Sequence, residues 1–501
     1  MRKWKKTTAL LLCMALMGGL AAGCSNKTGD SKAEPTTAAG AGSTDTTQAG
    51  KEESAGAEGT LDFSGVKLVF AQDLGTDETA NAVVNEIIDA YEAKTGATIQ
   101  FEALPPADYR TWLTTQFTAG EGPDVYTGIL YDITTDYNSG WLYNFADLYK
   151  AESPYDTGHI WKDTLPEYIL NRMYITENDI PGYPSSTSVV RIFCNTKLFE
   201  KAGAQIPTTW AEFVDACKKL KDAGITPFGF PNASFADLSW LWFNNSITSQ
   251  LNNGLVTTLD ETGNGYVELN EIVKGFEEGK LDFTSSSILE GYKLMKEFSD
   301  YWTSDYNGLD QATAINMFIR GEVAMVQALS TNLSAVDAVV SEDFEYAVMP
   351  VPTITKDTSA NAMGKSVILG GQPDIIYAIN KDLETDETKL AAAIDFSQYM
   401  SSPEVQKKLA ETIYRIPLAT TTELPENLQG FIITEEPLRL AYYTGINEKL
   451  RTYFHRAGQQ YLEGSIDVDQ LGVILNDAYS EVLKEIELEN GWTADNNYGI
   501  Q

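Results

Sequence analysis

The sequence predicts an α/β fold laid down in two successive runs, and three observations carry that prediction. Strand-like and helix-like segments alternate from residue 66 onward, and the alternation restarts after Pro184. About 440 residues follow the N-terminal leader and tether, a length that suits two or three domain-sized units. Of the 501 residues 43% are hydrophobic, including 25 Tyr, 20 Phe and 9 Trp, so the chain can bury enough apolar surface to offset its conformational entropy.

The first segment reads as an address. Arg2, Lys3, Lys5 and Lys6 precede the apolar run from Ala9 to Met17 and the small-residue ending Leu20-Ala21-Ala22-Gly23-Cys24, the order of a secretory signal over residues 1 to 23. The apolar run is shorter than the ~20 residues a spanning helix needs. Ala22-Gly23-Cys24 resembles a bacterial lipobox, which implies that Cys24 is lipidated and becomes the mature N-terminus, although Ala21 stands where leucine is commonest. Residues 24 to 60, with no aromatic side chain, read as a disordered tether reaching roughly 30 Å.

The first α/β run begins with a buried strand from Val66 to Ala71. A helix from Glu78 to Lys94 follows, with Val83, Val84, Ile87, Ile88 and Tyr91 on one face and Gly96 closing it. Thr98 to Ala103 is the second strand and Asp108 to Ala119 the second helix. Gly120-Glu121-Gly122-Pro123 ends that helix, and Asp124-Val125-Tyr126 opens the third strand. Such order is that of a parallel sheet. The second run holds a strand from Val189 to Asn195 and a helix capped by Thr209 and Glu212 that turns Trp210, Phe213, Val214, Cys217 and Leu220 inward. Cys194 and Cys217 read as buried free thiols. Phe318 to Met325, Phe344 to Pro352, Ile375 to Ile379 and a helix from Leu390 to Met400 complete the run.

Composition excludes several functions. A net charge of −35 repels nucleic acid, and two histidines, His159 and His455, with four cysteines and no Cys-x-x-Cys pair give neither a metal site nor a disulfide scaffold. Met363-Gly364-Lys365-Ser366 ends like a phosphate-binding loop but lacks the first glycine, since Ser359 holds its place. Asp260-Glu261-Thr262-Gly263-Asn264-Gly265 with Glu271 imitates a calcium loop. Thr262 is a poor third ligand, and Val256 to Leu259 before it reads as a strand, so a β-turn is expected there.

Several segments together resemble the family 1 extracellular solute-binding proteins, the maltose-binding-protein-like receptors of ABC importers. They are Gly120 to Val125, Asn195 to Phe199 with Pro207 to Trp210, Phe318 to Met325, Pro350 to Pro352, Gly370-Gly371 before Ile375 to Lys381, and Ser402 to Gln406, within a resemblance spanning roughly residues 66 to 490. It implies an α/β, two-lobed periplasmic-binding-protein-like fold of type II, with crossover strands joining the lobes and a ligand cleft between them. The crossings would fall near Thr187 to Arg191, Gly371 to Ile376 and Arg415 to Thr420. One lobe would take residues 66 to 186 plus 373 to 417, the other 187 to 372 plus 418 to 495.

Such a receptor binds and releases its ligand unaltered, closing by hinge motion, and needs neither catalysis nor a cofactor. A sugar site requires aromatic rings for C–H faces and polar side chains for hydroxyls. Tyr131 and Asp132 lie where the resemblance puts polar sugar contacts, and Asp73 follows the first strand at a carboxyl end. Tyr183, Trp240 and Trp242 supply further rings; on a segment around the two tryptophans read as extended, one is expected in the cleft, Trp240 preferred, and the other in the core. Gln372 follows two glycines, Arg415 is a ligand or hinge residue, and Asn332 stands in Ser330-Thr331-Asn332, where maltose-binding relatives carry an aromatic residue. The expectation is a monomeric sugar receptor, lipid-anchored on the extracytoplasmic face of the cell membrane at a Gram-positive surface, with ABC permease subunits as partners. A secreted glycoside hydrolase and a non-transport polysaccharide-binding surface protein are the alternatives.

Overall fold

The computed structural model describes residues 61 to 75, 77 to 235, 239 to 441 and 448 to 500. The predicted signal peptide, Cys24 and the tether lie outside them. Among the described residues no helix is long and apolar enough to cross a membrane.

The chain opens as the alternation predicts: β1 (Lys67–Gln72), α1 (Glu78–Thr95), β2 (Thr98–Ala103), α2 (Pro106–Ala119), β3 (Val125–Gly128) and α3 (Leu130–Asn138). Asp77 caps α1 by accepting from the Ala80 amide, and Gly96 ends it in the left-handed region at φ 75°. A small hairpin, β4 (Glu152–Ser153) with β5 (Asp156–Ile160), and α4 (Glu167–Met173) lead to β6 (Tyr183–Asn195). Beyond it come α5 (Thr196–Ala202), α6 (Trp210–Asp222), β7 (Thr226–Gly229), α7 (Ser239–Leu251), α8 (Asn253–Leu259), α9 (Leu269–Glu277), α10 (Ser286–Ser299), α11 (Gln311–Ile319), β8 (Val323–Leu329), α12 (Leu333–Asp337), β9 (Tyr346–Met349) and β10 (Gly370–Ile379). The chain ends with α13 (Glu387–Met400), α14 (Pro403–Ile413), β11 (Ile416–Pro417), α15 (Glu448–Glu463) and α16 (Val468–Asn490). The expected capping box of Thr209 and Glu212 is formed at α6. Residues Val256 to Leu259 form the end of helix α8 and not a strand: Val256 and Leu259 are three apart, so both reach the core from one helical face.

One sheet of order β2-β1-β3-β10-β6-β8-β7 runs through the structure, with β9 and β11 also paired to β6. The pairs β1–β2 and β1–β3 are parallel, as alternation predicts, and so is β7–β8, whose first strand the sequence reading did not identify. The middle is not: β10 is antiparallel to β3 and β6, and β6 to β8, so the sheet is mixed. Long β6 pairs with β10 and β11 through Tyr183 to Thr187, then with β8 and β9 through Val190 to Asn195. It therefore belongs to both lobes. One apolar core gathers residues 63 to 183 with 375 to 418, and a second gathers 190 to 369 with 440 to 486. In the second, Phe298 packs against Phe213, Phe228, Phe243 and Trp302 with ring centroids 4.9 to 5.2 Å apart. Cys194 and Cys217 are free and buried in this core, where desolvation raises both thiols well above their usual range.

Candidate functional site

A cleft of about 750 Å³ opens between the two cores. Its first wall comes from the start of α3 (Tyr131, Thr134, Thr135) and the end of α4 (Asn171, Arg172, Tyr174). Asn264, Tyr266 and Glu268, from the loop between α8 and α9, form the facing wall with Leu329. Ser188 on β6 and Gly370, Gln372, Pro373 and Asp374 on β10 make the floor.

The wall at α3 is held by a buried charge network. The Asp136 carboxylate, fully buried, accepts from Arg110 through both oxygens at 2.7 and 2.6 Å and from the Tyr126 hydroxyl at 2.5 Å. That fork fixes α3 against α2 and β3, and one turn earlier Tyr131 projects with 74% of its surface exposed. Asp132 is drawn into the same network, 3.5 Å from Arg110, and only partly faces solvent.

The floor is shaped by Gly370 and Gly371, at φ 72° and 71°. A side chain at Gly370 would collide with the Ser188 carbonyl, so two glycines let β10 run directly against β6. The Thr187 hydroxyl donates to the Gln372 carbonyl at 2.6 Å. The Ser188 hydroxyl donates to Asp374 Oδ2 at 2.6 Å, and Arg415 pairs with the same oxygen at 2.7 Å. Two acceptors remain: Gln372 Oε1 and Asp374 Oδ1 are buried without a hydrogen-bond partner among the described residues.

Beyond the Arg415–Asp374 pair lies a smaller cavity of about 320 Å³, lined by Asp73, Asp77, Thr331, Ser334, Thr412, Tyr414 and Arg415. Tyr414 is one of three non-glycine residues with positive φ, at 57°, among the described residues. Desolvation raises the Asp73 carboxyl above its ordinary value, with Arg415 opposing and the charges of Asp374 and Asp132 adding. The folded state therefore holds that proton more tightly than the unfolded chain does. Stability is lost as pH rises past the ordinary aspartate value of about 3.9 and through the raised one. Urea titrations across that window should show the unfolding free energy of Asp73→Asn gaining on that of the parent as pH rises; parallel curves would mean that the carboxyl is not desolvated.

The sites expected from sequence divide into two groups. Tyr131 and Gln372 line the larger cavity, Asp73 and Arg415 the smaller, and Asp132 sits beside Tyr131 on α3. The other four do not line either cavity. Tyr183 is 1% exposed and stacks on Trp161 at 4.1 Å, with its hydroxyl 2.9 Å from Thr164, so it belongs to the first core. Trp240 and Trp242 lie on helix α7, not on an extended segment. Trp240 is buried in the second core against Tyr292, and Trp242 packs half-buried on that same core. Asn332 Oδ1 accepts from the Leu329 amide at 3.2 Å and serves the local turn.

Sequence reasoning missed Arg172, Tyr174, Ser188, Asn264, Tyr266 and Asp374. The signal for Asn264 and Tyr266 lay in the calcium-like loop. Asp260 accepts from the amides of Gly263, Asn264 and Gly265 at 2.7 to 3.2 Å, and Glu271 from those of Glu261, Thr262 and Glu268 at 2.8 to 2.9 Å. These carboxylates are occupied by the chain's own N–H groups and shape a loop that presents Asn264 and Tyr266 to the cleft. Among the described residues no cluster of three His, Cys, Asp or Glu could hold a metal ion.

Known proteins with this architecture bind solutes. The curated relatives matched include the sn-glycerol-3-phosphate-binding periplasmic protein UgpB of Brucella abortus (strain 2308), 26% identical over 311 residues, covering 60% of this chain and 62% of the relative. This chain thus spans less than two thirds of that relative's length. Among solved structures, a probable secreted solute-binding lipoprotein from Streptomyces coelicolor superposes with a TM-score of 0.64 at 17% identity, covering 83% of this chain and 98% of that one. The apo form of RafE from Streptococcus pneumoniae superposes with a TM-score of 0.62 at 18% identity, covering 84% and 98%. These likenesses support the two-lobed fold. Residues 86–431 match the family described as bacterial extracellular solute-binding protein, and the chain belongs to that family.

Proposed function

We propose that the protein is the carbohydrate receptor of an ABC importer, capturing a mono- or oligosaccharide in the cleft and delivering it to the permease without chemical change. In this reading Cys24 carries the lipid anchor on the extracytoplasmic face of the membrane, and the receptor works as a monomer. Residues 66 to 186 with 373 to 417 form one lobe, and residues 187 to 372 with 418 to 495 the other. The observation that carries the reading is an exposed Tyr131 ring on the wall of a cleft whose floor carries the polar side chains of Ser188, Gln372 and Asp374. A pyranose has an apolar face for the ring and hydroxyls for polar side chains, so it suits both features of the cleft. Relatives' names point the same way: a multiple sugar-binding protein of Streptococcus mutans is 26% identical over 152 residues, and raffinose is the ligand in a RafE complex.

A ligand touching Tyr131 and the facing wall of Asn264 and Tyr266 would stabilise the closed arrangement of the lobes. A thermal-shift screen over a broad glycan panel should therefore find a saturable, metal-independent rise in melting temperature with one saccharide class. Tyr131→Ala should weaken that hit about tenfold, equal to about 1.4 kcal/mol. A panel without any hit would remove the carbohydrate reading. Turnover of the hit, lost on changing one carboxylate, would replace the receptor with a hydrolase.

A further inference from the structure

Arg172, at the end of α4, lines the cleft, and its guanidinium lies over the Tyr266 ring at 4.6 Å from the centroid. It makes no ion pair among the described residues, and its Nε is buried without a hydrogen-bond partner. Two other charged groups line the cavity. Asp374 is bound by Arg415, and Glu268 occupies the N-cap of α9, where the positive end of the helix faces it. Arg172 is thus the one cationic side chain of this cavity without an acidic partner among the described residues. Contact with Tyr266 engages part of the guanidinium and leaves further N–H donors of the kind that grip an oxyanion. A neutral hydroxyl could accept one hydrogen bond there but would leave the charge unbalanced. In a chain of net charge −35, whose field repels anions, such a ligand requires a local cation of this kind.

We infer that the saccharide recognised here carries an anionic substituent, a carboxylate or a phosphate, and that Arg172, seated against Tyr266, reads it. The inference rests on the receptor reading above and names the substrate class of the same site. The test uses matched pairs on the full-length protein: galacturonic acid against galactose, and glucose 6-phosphate against glucose, by calorimetric titration. The expected result is a preference of tenfold or more for the acidic member of one pair, and which pair shows it separates carboxylate from phosphate. Arg172→Gln should reduce that preference at least tenfold. Arg172→Lys, which keeps the charge but not the fork, should retain part of it. Ligand-free melting curves of both variants confirm that each folds, and if Arg172→Gln does not fold, Arg172→Lys carries the test alone. Equal binding of acidic and neutral members by the parent overturns the inference and leaves the receptor standing, as does a preference that survives Arg172→Gln. Absence of binding by every saccharide tested, including the broad panel, overturns both.

Discussion

Replacing Trp240 with alanine is expected to destabilise the fold by about 3–5 kcal/mol, the usual cost of emptying a large aromatic site in a core, while leaving saccharide affinity unchanged. The indole is 4% exposed, stacks on Tyr292 at 6.1 Å with planes 25° apart, and is approached so closely by α15 that a side chain at Gly458 would run into its ring. Its loss leaves a cavity between α7, α10 and α15, which those rigid helices cannot close without shifting. Urea unfolding measures the first effect and titration of the panel's saccharide the second. A tenfold loss of affinity at unchanged stability would put Trp240 back in the cleft.

Trp240 also shows where the sequence ceases to inform. Residue type marks tryptophan as a candidate sugar platform, yet type does not say which wall a ring faces. In the run Phe235 to Trp242 the polar Asp237 and Ser239 alternate with Leu238 and Trp240, a period that suggests an extended segment although the chain is helical from Ser239 onward. The first α/β run was legible because its first two helices, α1 and α2, each have an apolar face and a glycine stop. Helix α6 was legible because its capping box is local. For the site, Asp73, Tyr131 and Gln372 could be found because strand ends and paired glycines are written in consecutive residues. Asp374, Arg172 and Tyr266 could not. They meet only because β10 turns antiparallel to β6, and because a loop folded around Asp260 and Glu271 faces the end of α4. No neighbouring residue encodes that geometry. Alternation likewise predicted the parallel pairs at the β2-β1-β3 end of the sheet but not the antiparallel centre, where β10 meets β6 from far along the chain.

Glu435→Ala should be the other large loss, about 3–5 kcal/mol, because it leaves a buried guanidinium without its counter-charge. Arg191, on the crossover strand β6, and Glu435 are each 2% exposed at the side chain and lie 2.7 Å apart. The rest of Arg191 donates to the carbonyls of Gly430 and Ile432, both at 3.0 Å, so one side chain staples the segment around residues 430 to 435 to β6. The adjoining Glu436 exchanges backbone hydrogen bonds with Ser366 and Ile368, immediately before the glycines that set the cleft floor. Loss of the pair should therefore weaken ligand binding as well as stability, without any change at a residue that lines the larger cavity beside Tyr131. Replacing both partners together, Arg191→Met with Glu435→Leu, removes the stranded charge and should recover most of the stability, since apolar groups of similar volume often serve a buried site as well as an ion pair does. Chemical unfolding of the two single variants and the double one completes the cycle. Additive losses would show that the two charges do not depend on each other. A double variant that regains stability but not affinity would instead show that the staple, through its hydrogen bonds to residues 430 and 432, holds the floor in the shape the ligand requires.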